Sequence, residues 1–257
     1  MKKILFIANY FYPDVASTGQ LLTDLCSKIK DKFDVTVIAA IPNYSSDIII
    51  DKKLNNKKFY YEKVKGINVC RIMVPNVIKT SKISRIKYIF KYYLNTKYAI
   101  RNIDDYDIVF TISQPPILGG ILGKYAKKKN PKSKLIYNIQ DFNPEQIEAV
   151  SYSKSKLLIN LLKKMDNITL KFSDKIILVG NDQIETIKKR SKLYVSKCIV
   201  INNWINENEI FPLDNQNIEV LNFKRELNLV NKFIPKNIPQ AELEDYLTNK
   251  FGKKGQQ

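Results

Sequence analysis

The 257-residue sequence is 44% hydrophobic and 26% charged, long and apolar enough to bury a substantial core. Lysine and arginine total 43 against 25 acidic residues, a formal net charge of +18 that suits nucleic acid, an anionic membrane surface or a phosphorylated ligand. Histidine is absent, which excludes Ser-His-Asp and Cys-His catalysis and histidine-based zinc sites and leaves acid-base work to carboxylates.

Cys26, Cys70 and Cys198 are odd in number and widely separated, so neither a disulfide framework nor a zinc site is expected, and a reducing cytoplasm fits. The only arginines are Arg71, Arg85, Arg101, Arg190 and Arg225. Base readout favours the bidentate arginine fork, so nucleic acid is disfavoured as a partner.

The start, MKKILFIANYFYPDVAS, imitates a secretory signal, but the apolar run Ile4–Ala8 is too short, and Asn9 and Asp14 interrupt the stretch after it. The spacing predicts a buried first strand there. Further β-branched runs predict strands over Val35–Ala40, Ile67–Met73, Ile108–Ile112, Leu135–Ile139, Lys175–Val179 and Cys198–Ile201. Between them, Leu21, Leu22, Leu25 and Ile29 recur at helical spacing, as do Ile117, Leu118, Ile121, Leu122 and Tyr125, and again Leu157, Leu158, Leu161, Leu162, Met165, Ile168 and Leu170. Strands that alternate with helices and are apolar throughout predict an α/β fold, a parallel sheet with helices on both faces. No segment approaches the roughly eighteen uninterrupted apolar residues of a membrane-spanning helix.

In such sheets ligands sit beyond the carboxyl ends of the strands. The loops NYFYPDVASTG, SQPP and QDFNPE therefore open on one side. Ser17-Thr18-Gly19 begins the first helix, where backbone N–H groups and the positive helix end attract anions and glycine lets a phosphate approach. Ser17 or Thr18 as a plain N-cap is the alternative. Asp141, at the polar end of an apolar strand, is a candidate functional carboxylate, against a simpler role in capping the next helix or bonding its own loop. Glu145, one residue past Pro144, is either a second functional carboxylate or a favourable charge at a helix start.

Gly119, Gly120 and Gly123 are expected to permit close helix packing. Residues 80–102 carry Lys82, Arg85, Lys87, Lys91, Lys97 and Arg101, interleaved with Ile83, Ile86, Tyr88, Ile89, Phe90, Tyr92, Tyr93 and Leu94, with no acid. That pattern suits peripheral contact with an anionic membrane, or a surface helix whose apolar face covers the sheet. After Trp204 the chain turns polar. Residues 206–219 read as a linker and Phe223–Leu229 as a short amphipathic helix. A strand begins at Phe233-Ile234 and is stopped by Pro235, and a last helix is expected over Gln240–Phe251.

Four segments carry a family resemblance. KKILFIANYFYPDVASTGQLLTDL resembles the first strand, loop and helix of family 4 glycosyltransferases. YNIQDFNPE resembles the Gln-Asp/Pro-Glu loop of their bacterial polysaccharide and O-antigen branch, SDKIILVGNDQIETI a later strand and helix, and CIVINNWINENEIFPL the passage into their second domain. With the helix FKRELNL, which resembles the one that follows in relatives, they span about residues 2–229, in the family's order. The resemblance implies the N-terminal half of a GT-B fold. Residues 1–205 would be a Rossmann-like acceptor-side domain, 206–234 a linker and truncated start of a second domain, and 235–257 a short helical or disordered tail.

It further implies retaining transfer of a sugar from a nucleotide donor to a polysaccharide or lipid-linked acceptor, with no metal and no cofactor beyond the nucleotide sugar. Asp141 and Glu145 would be catalytic; Ser17, Thr18, Gly19, Gln20, Gln114, Gln140 and Asn203 would bind substrate, and Trp204 would pack. Relatives often carry histidine in the loop where Gln140 stands. The family's donor domain is not discernible, so the chain is expected to be inactive alone, in the cytoplasm or peripherally on the inner face of the membrane. A separate donor-domain chain is one expected partner. A non-catalytic acceptor-binding module or half of a split transferase is the alternative, and a nucleic-acid-binding protein a lesser one. Asp105-Tyr106-Asp107 has the D-x-D spacing of metal sites in the other major glycosyltransferase fold, but it precedes a strand and so lies at the wrong edge.

Overall fold

Eight strands form one sheet in the first of two units, Met1–Ile205: β1 (Lys2–Ile7), β2 (Phe33–Ala40), β3 (Phe59–Val64), β4 (Ile67–Ile72), β5 (Ile108–Ile112), β6 (Lys134–Ile139), β7 (Lys175–Leu178) and β8 (Cys198–Val200). The computed structural model describes residues 1–42, 57–77, 80–149, 155–205, 213–214 and 216–226. The strand order is β3-β4-β2-β1-β5-β6-β7-β8. Every neighbouring pair is parallel except β3 and β4. The order reverses direction at β1, whose neighbours are β2 and β5, and such a switch point opens a crevice at the carboxyl edge.

β3 departs from the expected all-parallel sheet. Its sequence, FYYEKV, alternates half-buried with exposed positions, as an edge strand does, and lacks a continuous apolar run. It returns to β4 through Lys65 (φ 51°) and Gly66 (φ 82°), the two left-handed residues that a tight hairpin demands.

The helices of this unit are α1 (Ser17–Ile29), α2 (Lys82–Asn102), α3 (Leu118–Lys129), α4 (Asn143–Ala149), α5 (Lys156–Phe172) and α6 (Asp182–Arg190). Successive strand residues point to opposite faces, and each face has its own core. On one side Leu22 and Cys26 of α1 pack on Ile4, Phe6, Val35, Val37 and Val69. On the other, Tyr92, Ala99 and Ile100 of α2 and Leu122 and Ala126 of α3 cover Leu5, Ile7, Ile38, Val109 and Leu135. Leu170 of α5 and Ile187 of α6 continue that layer over Tyr137, Ile139, Ile176 and Leu178. Each buried Val, Leu, Ile or Phe among them contributes about 1.5–3 kcal/mol.

The α3 glycines bear out their expected role. A Cβ on Gly119 would stand 2.0 Å from the Ile112 carbonyl oxygen, one on Gly120 2.6 Å from Thr169 of α5, and one on Gly123 2.5 Å from Thr111 of β5. α2 and α5 begin at Ser81 and Ser155, whose hydroxyls accept from the Ser84 and Leu158 amides as N-caps do.

Asp174, between α5 and β7, ties α3 to β6. Its carboxylate accepts the Leu135 amide (2.8 Å) and pairs with Lys127 and Lys134. Burial pushes its pKa up, but the Lys127 and Leu135 hydrogen bonds and the two lysine charges outweigh that and hold it below the ordinary value. A carboxyl lowered by folding stabilises the fold above its unfolded pKa of about 4 and loses that contribution as pH falls through the folded value. Asp174→Asn is therefore expected to cost about 1 kcal/mol at neutral pH. The two melting curves should converge in acid; a constant offset at every pH would contradict the linkage.

In the second unit, Asn206–Gln257, the described residues form α7 (Ile218–Glu226), begun by Asn217, whose Oδ1 accepts the Glu219 amide at 2.8 Å. This helix starts earlier than the expected Phe223, inside the stretch read as linker. The expected strand start at Phe233-Ile234 and helix over Gln240–Phe251 lie outside the described residues.

Candidate functional site

The carboxyl edge beside β1 gathers the polar residues singled out in the sequence. α1 begins at Ala16, which has no side-chain acceptor to cap it. The alternative role of Ser17 or Thr18 as N-cap is thereby corrected. Ser17 is exposed in the first turn, and buried Thr18 instead donates its hydroxyl to Gln114 Oε1 (2.9 Å), joining α1 to the loop after β5. Gln20 is exposed, with Nε2 donating to the Val15 carbonyl (2.6 Å).

Gly19 is buried in the same turn. The space of its missing Cβ is filled by Tyr10, at 3.1 Å, and by the Asp14 carbonyl, at 3.4 Å, so glycine there admits the preceding loop. That loop, which contains a cis Tyr12-Pro13 bond, is held by residues not singled out as site candidates. Thr23 Oγ1 accepts the Tyr12 amide (3.1 Å) and donates to the Gly19 carbonyl (2.7 Å). Arg71 of β4, wholly buried, reaches the Tyr12 and Ala40 carbonyls and pairs with Glu62 of β3 at 2.6 Å. An arginine inside the apolar run Ile67–Met73 was the available signal.

β6 runs into Gln140, the hub of this edge. Its amide donates to Ser113 Oγ (3.1 Å) and its carbonyl accepts Gln183 Nε2 (2.9 Å). Its side-chain Nε2 donates to Asn138 Oδ1 (2.6 Å), and its Oε1 accepts Asn203 Nδ2 (2.8 Å). The ends of β5, β6 and β8 and the start of α6 are thus linked through one glutamine. Asn203 is set there by its neighbour Trp204, whose indole N–H donates to Asp24 of α1 at 2.8 Å.

Asp141 comes next, exposed to solvent. One carboxylate oxygen accepts Gln146 Nε2 (2.8 Å), and the backbone carbonyl accepts Asn143 Nδ2 (3.3 Å), so the aspartate bonds its own loop through Oδ1 and not through Oδ2. Glu145 lies in the first turn of α4 as expected, but both its oxygens are engaged by Arg190, at 2.9 and 2.6 Å. Arg190 also pairs with buried Asp166, which accepts the Tyr137 hydroxyl (2.9 Å), and lies over the Phe142 ring.

Burial works to lower the Arg190 pKa, but the Glu145 hydrogen bonds and the Asp166 charge outweigh it and raise the value. Burial first, then Asp166, pushes the Tyr137 phenol well above its ordinary range. Glu145 and Arg190 thus form a fixed ion pair behind Asp141. Arg190 and Asp166 carried no sequence signal beyond the scarcity of arginine.

Asp107 accepts the Lys3 amide (2.7 Å) at the amino edge of β1 and β5, so the D-x-D motif lies at the opposite end of the sheet from Asp141. Among the described residues no cluster of three Asp, Glu, Cys or His side chains has a metal-holding arrangement.

No protein-family model matches this chain, and no curated protein matches its sequence. Among solved structures it is similar to the apo form of the lipopolysaccharide outer core galactosyltransferase WaaB, at 12% identity over 97% of this chain and 71% of that one, with a TM-score of 0.44. It is also similar to a UGT transferase from Siraitia grosvenorii in complex with UDP (10% identity, 91% and 57% covered, TM-score 0.48). A third is an Arabidopsis thaliana UGT complexed with UDP-L-rhamnose (11% identity, 96% and 54% covered, TM-score 0.46). The match covers little more than half the length of these last two.

Proposed function

We propose that this chain is the acceptor-side half of a retaining, nucleotide-sugar-dependent glycosyltransferase of the family 4 kind, acting in the cytoplasm on a polysaccharide or lipid-linked acceptor. The observation that carries this reading is convergence. Thr18 and Gln114 are bonded to each other, Gln140 is bonded to Asn203, and Asp141 adjoins them at one sheet edge. Three of the four segments that resemble the family contribute to this cluster.

In this reading the donor phosphate faces the first turn of α1, where the helix end favours negative charge. The bond from the sugar's anomeric carbon to that phosphate breaks as the bond to the acceptor oxygen forms on the same face, and the acceptor's proton passes to the departing phosphate oxygen. The second carboxylate oxygen of Asp141 receives the hydrogen bond of the acceptor hydroxyl and faces the positive charge that develops on the sugar. Gln140 is a neutral amide with both ends bonded and takes no proton. Glu145, paired with Arg190, positions α4 behind Asp141. A second Rossmann-like half supplies the donor contacts.

The test is transfer from radiolabelled UDP- and GDP-sugars to lipid-linked and oligosaccharide acceptors, with the purified chain alone and with added donor-domain polypeptide. The expected result is no transfer alone, because one half cannot hold both substrates in reacting geometry, and transfer after addition. Asp141→Asn should lower the restored rate by roughly a hundredfold or more, with melting unchanged. Turnover by the isolated chain would remove its assignment to one half of the enzyme, and full turnover by the variant would remove the assignment of Asp141.

Glutamine where relatives often carry histidine favours a second reading, an acceptor-binding module without transfer. It predicts glycan binding that Asp141→Asn leaves unchanged and no turnover under any complementation.

A further inference from the structure

α2 presents two stripes. The inward one, Tyr88, Tyr92, Thr96, Ala99 and Ile100, is buried. Its tyrosine hydroxyls donate to Asn9 Oδ1 (2.7 Å) and the Ala8 carbonyl (2.8 Å), at the carboxyl end of β1. The outward one, Ile83, Ile86, Phe90 and Leu94, also recurs at helical spacing, yet 67%, 66%, 59% and 42% of these residues' surfaces are exposed. Neighbouring Ile89 is exposed as well. Contiguous apolar surface of this kind marks a contact with something apolar.

Charge identifies the partner. No acid occurs between Thr80 and Asn102, and Lys82, Lys87 and Lys91 are exposed beside the stripe. None of the ion pairs among the described residues involves these three lysines. Further along α2 the pattern changes, for Lys97 lies over the Tyr125 ring and Arg101 donates to the Tyr125 hydroxyl. Free positive charge is therefore concentrated where the isoleucines are. Beside it lies a groove of about 760 Å³, floored by Met73, Val74 and Phe90 and rimmed by Lys57, Lys87 and Lys91.

A second copy of the chain would bring like charges together at this face. A nucleic acid would leave the aliphatic stripe in water. A bilayer with anionic headgroups meets both demands, acyl chains for the stripe and phosphates for the lysines.

We propose that the outward face of α2, centred on Ile86, Phe90, Lys87 and Lys91, docks on an anionic lipid bilayer. No helix among the described residues is long and apolar enough to cross a membrane, so α2 lies in the plane of the interface. Through Tyr88 and Tyr92 it holds the carboxyl edge of β1 near that surface. This inference does not rest on the sugar-transfer reading.

The experiment is co-sedimentation of the full chain with vesicles of phosphatidylcholine alone or mixed with phosphatidylglycerol. Binding is expected only to the anionic vesicles, and weaker at high salt. Lys87→Gln with Lys91→Gln should lower partitioning roughly thirtyfold. Ile86→Asp with Phe90→Asp should abolish it, and melting temperatures should stay at the parent value because all four side chains are exposed. Absence of binding to anionic vesicles, or parental binding by the Asp variant, overturns the proposal. So does a dimer in light scattering that the Asp variant dissolves, which would assign the face to a second copy, or oligonucleotide binding without vesicle binding.

Discussion

Gly119→Ala is expected to be the most destabilising single methyl added to this fold. The added methyl would meet the Ile112 carbonyl oxygen at 2.0 Å and the Gln114 carbonyl oxygen at 2.9 Å, both backbone atoms that no rotamer change can move. Relief requires α3 to lift from the end of β5. That stretches the Thr111 hydroxyl bond to the Gly119 carbonyl (2.7 Å) and opens the contacts of Leu122 and Ala126 with the sheet. Overpacking a core costs about 1–3 kcal/mol when side chains can yield, and a rigid backbone clash at this distance should reach about 4 kcal/mol or more. Such a loss lowers the melting temperature by roughly 10 °C and consumes a large share of a typical domain's stability. Gly66→Ala is the control, because that glycine has φ 82° and only the flexible Lys30 amine nearby. Its cost should stay near about 1 kcal/mol. Parent-like melting of Gly119→Ala would show that α3 sits further from β5 than these distances imply.

Arg190→Leu is the second large effect. Arg190 and Asp166 side chains are each about 5% exposed, and Glu145 is partly shielded as well. Removing the cation strands one buried carboxylate and frees another, which costs about 3–5 kcal/mol. The penalty belongs to the stranded charges, so Arg190→Leu combined with Asp166→Asn and Glu145→Gln should recover much of it, measured by urea unfolding. Strictly additive costs across the set would sink the network. In the transfer assay Arg190→Leu should also slow the restored rate, because Gln146 of α4 holds one oxygen of Asp141.

Legibility in the sequence tracks the range of the forces involved. Strands such as β1 and β5 are buried on both faces and so are apolar at nearly every position, a property that a short window detects. β3 escaped because an edge strand needs no such run; only Lys65-Gly66 hinted at the hairpin. Asp141 and Gln140 stood out because polar residues ended an apolar strand. The wiring among them did not, since Gln140 meets Asn203 only when the ends of β6 and β8 are brought to one side of the sheet. Arg190 reaches Glu145 across 45 residues of chain, and no local pattern encodes that meeting. The capping role imagined for Ser17 or Thr18 failed for the same reason, because a distant glutamine claimed the Thr18 hydroxyl.

The two margins of the sheet have a consequence for how the protein behaves in a crowded solution. An unpaired strand edge is a template on which a foreign chain can extend the ladder, and the defences against it are charge and brevity. β3 ends the sheet on one side with Glu62 and Lys63 in its outer half, and Glu62 is anchored by Arg71. β8 ends it on the other with three residues, hemmed by Lys197. Aggregation by strand addition is thereby discouraged at both margins of the sheet among the described residues.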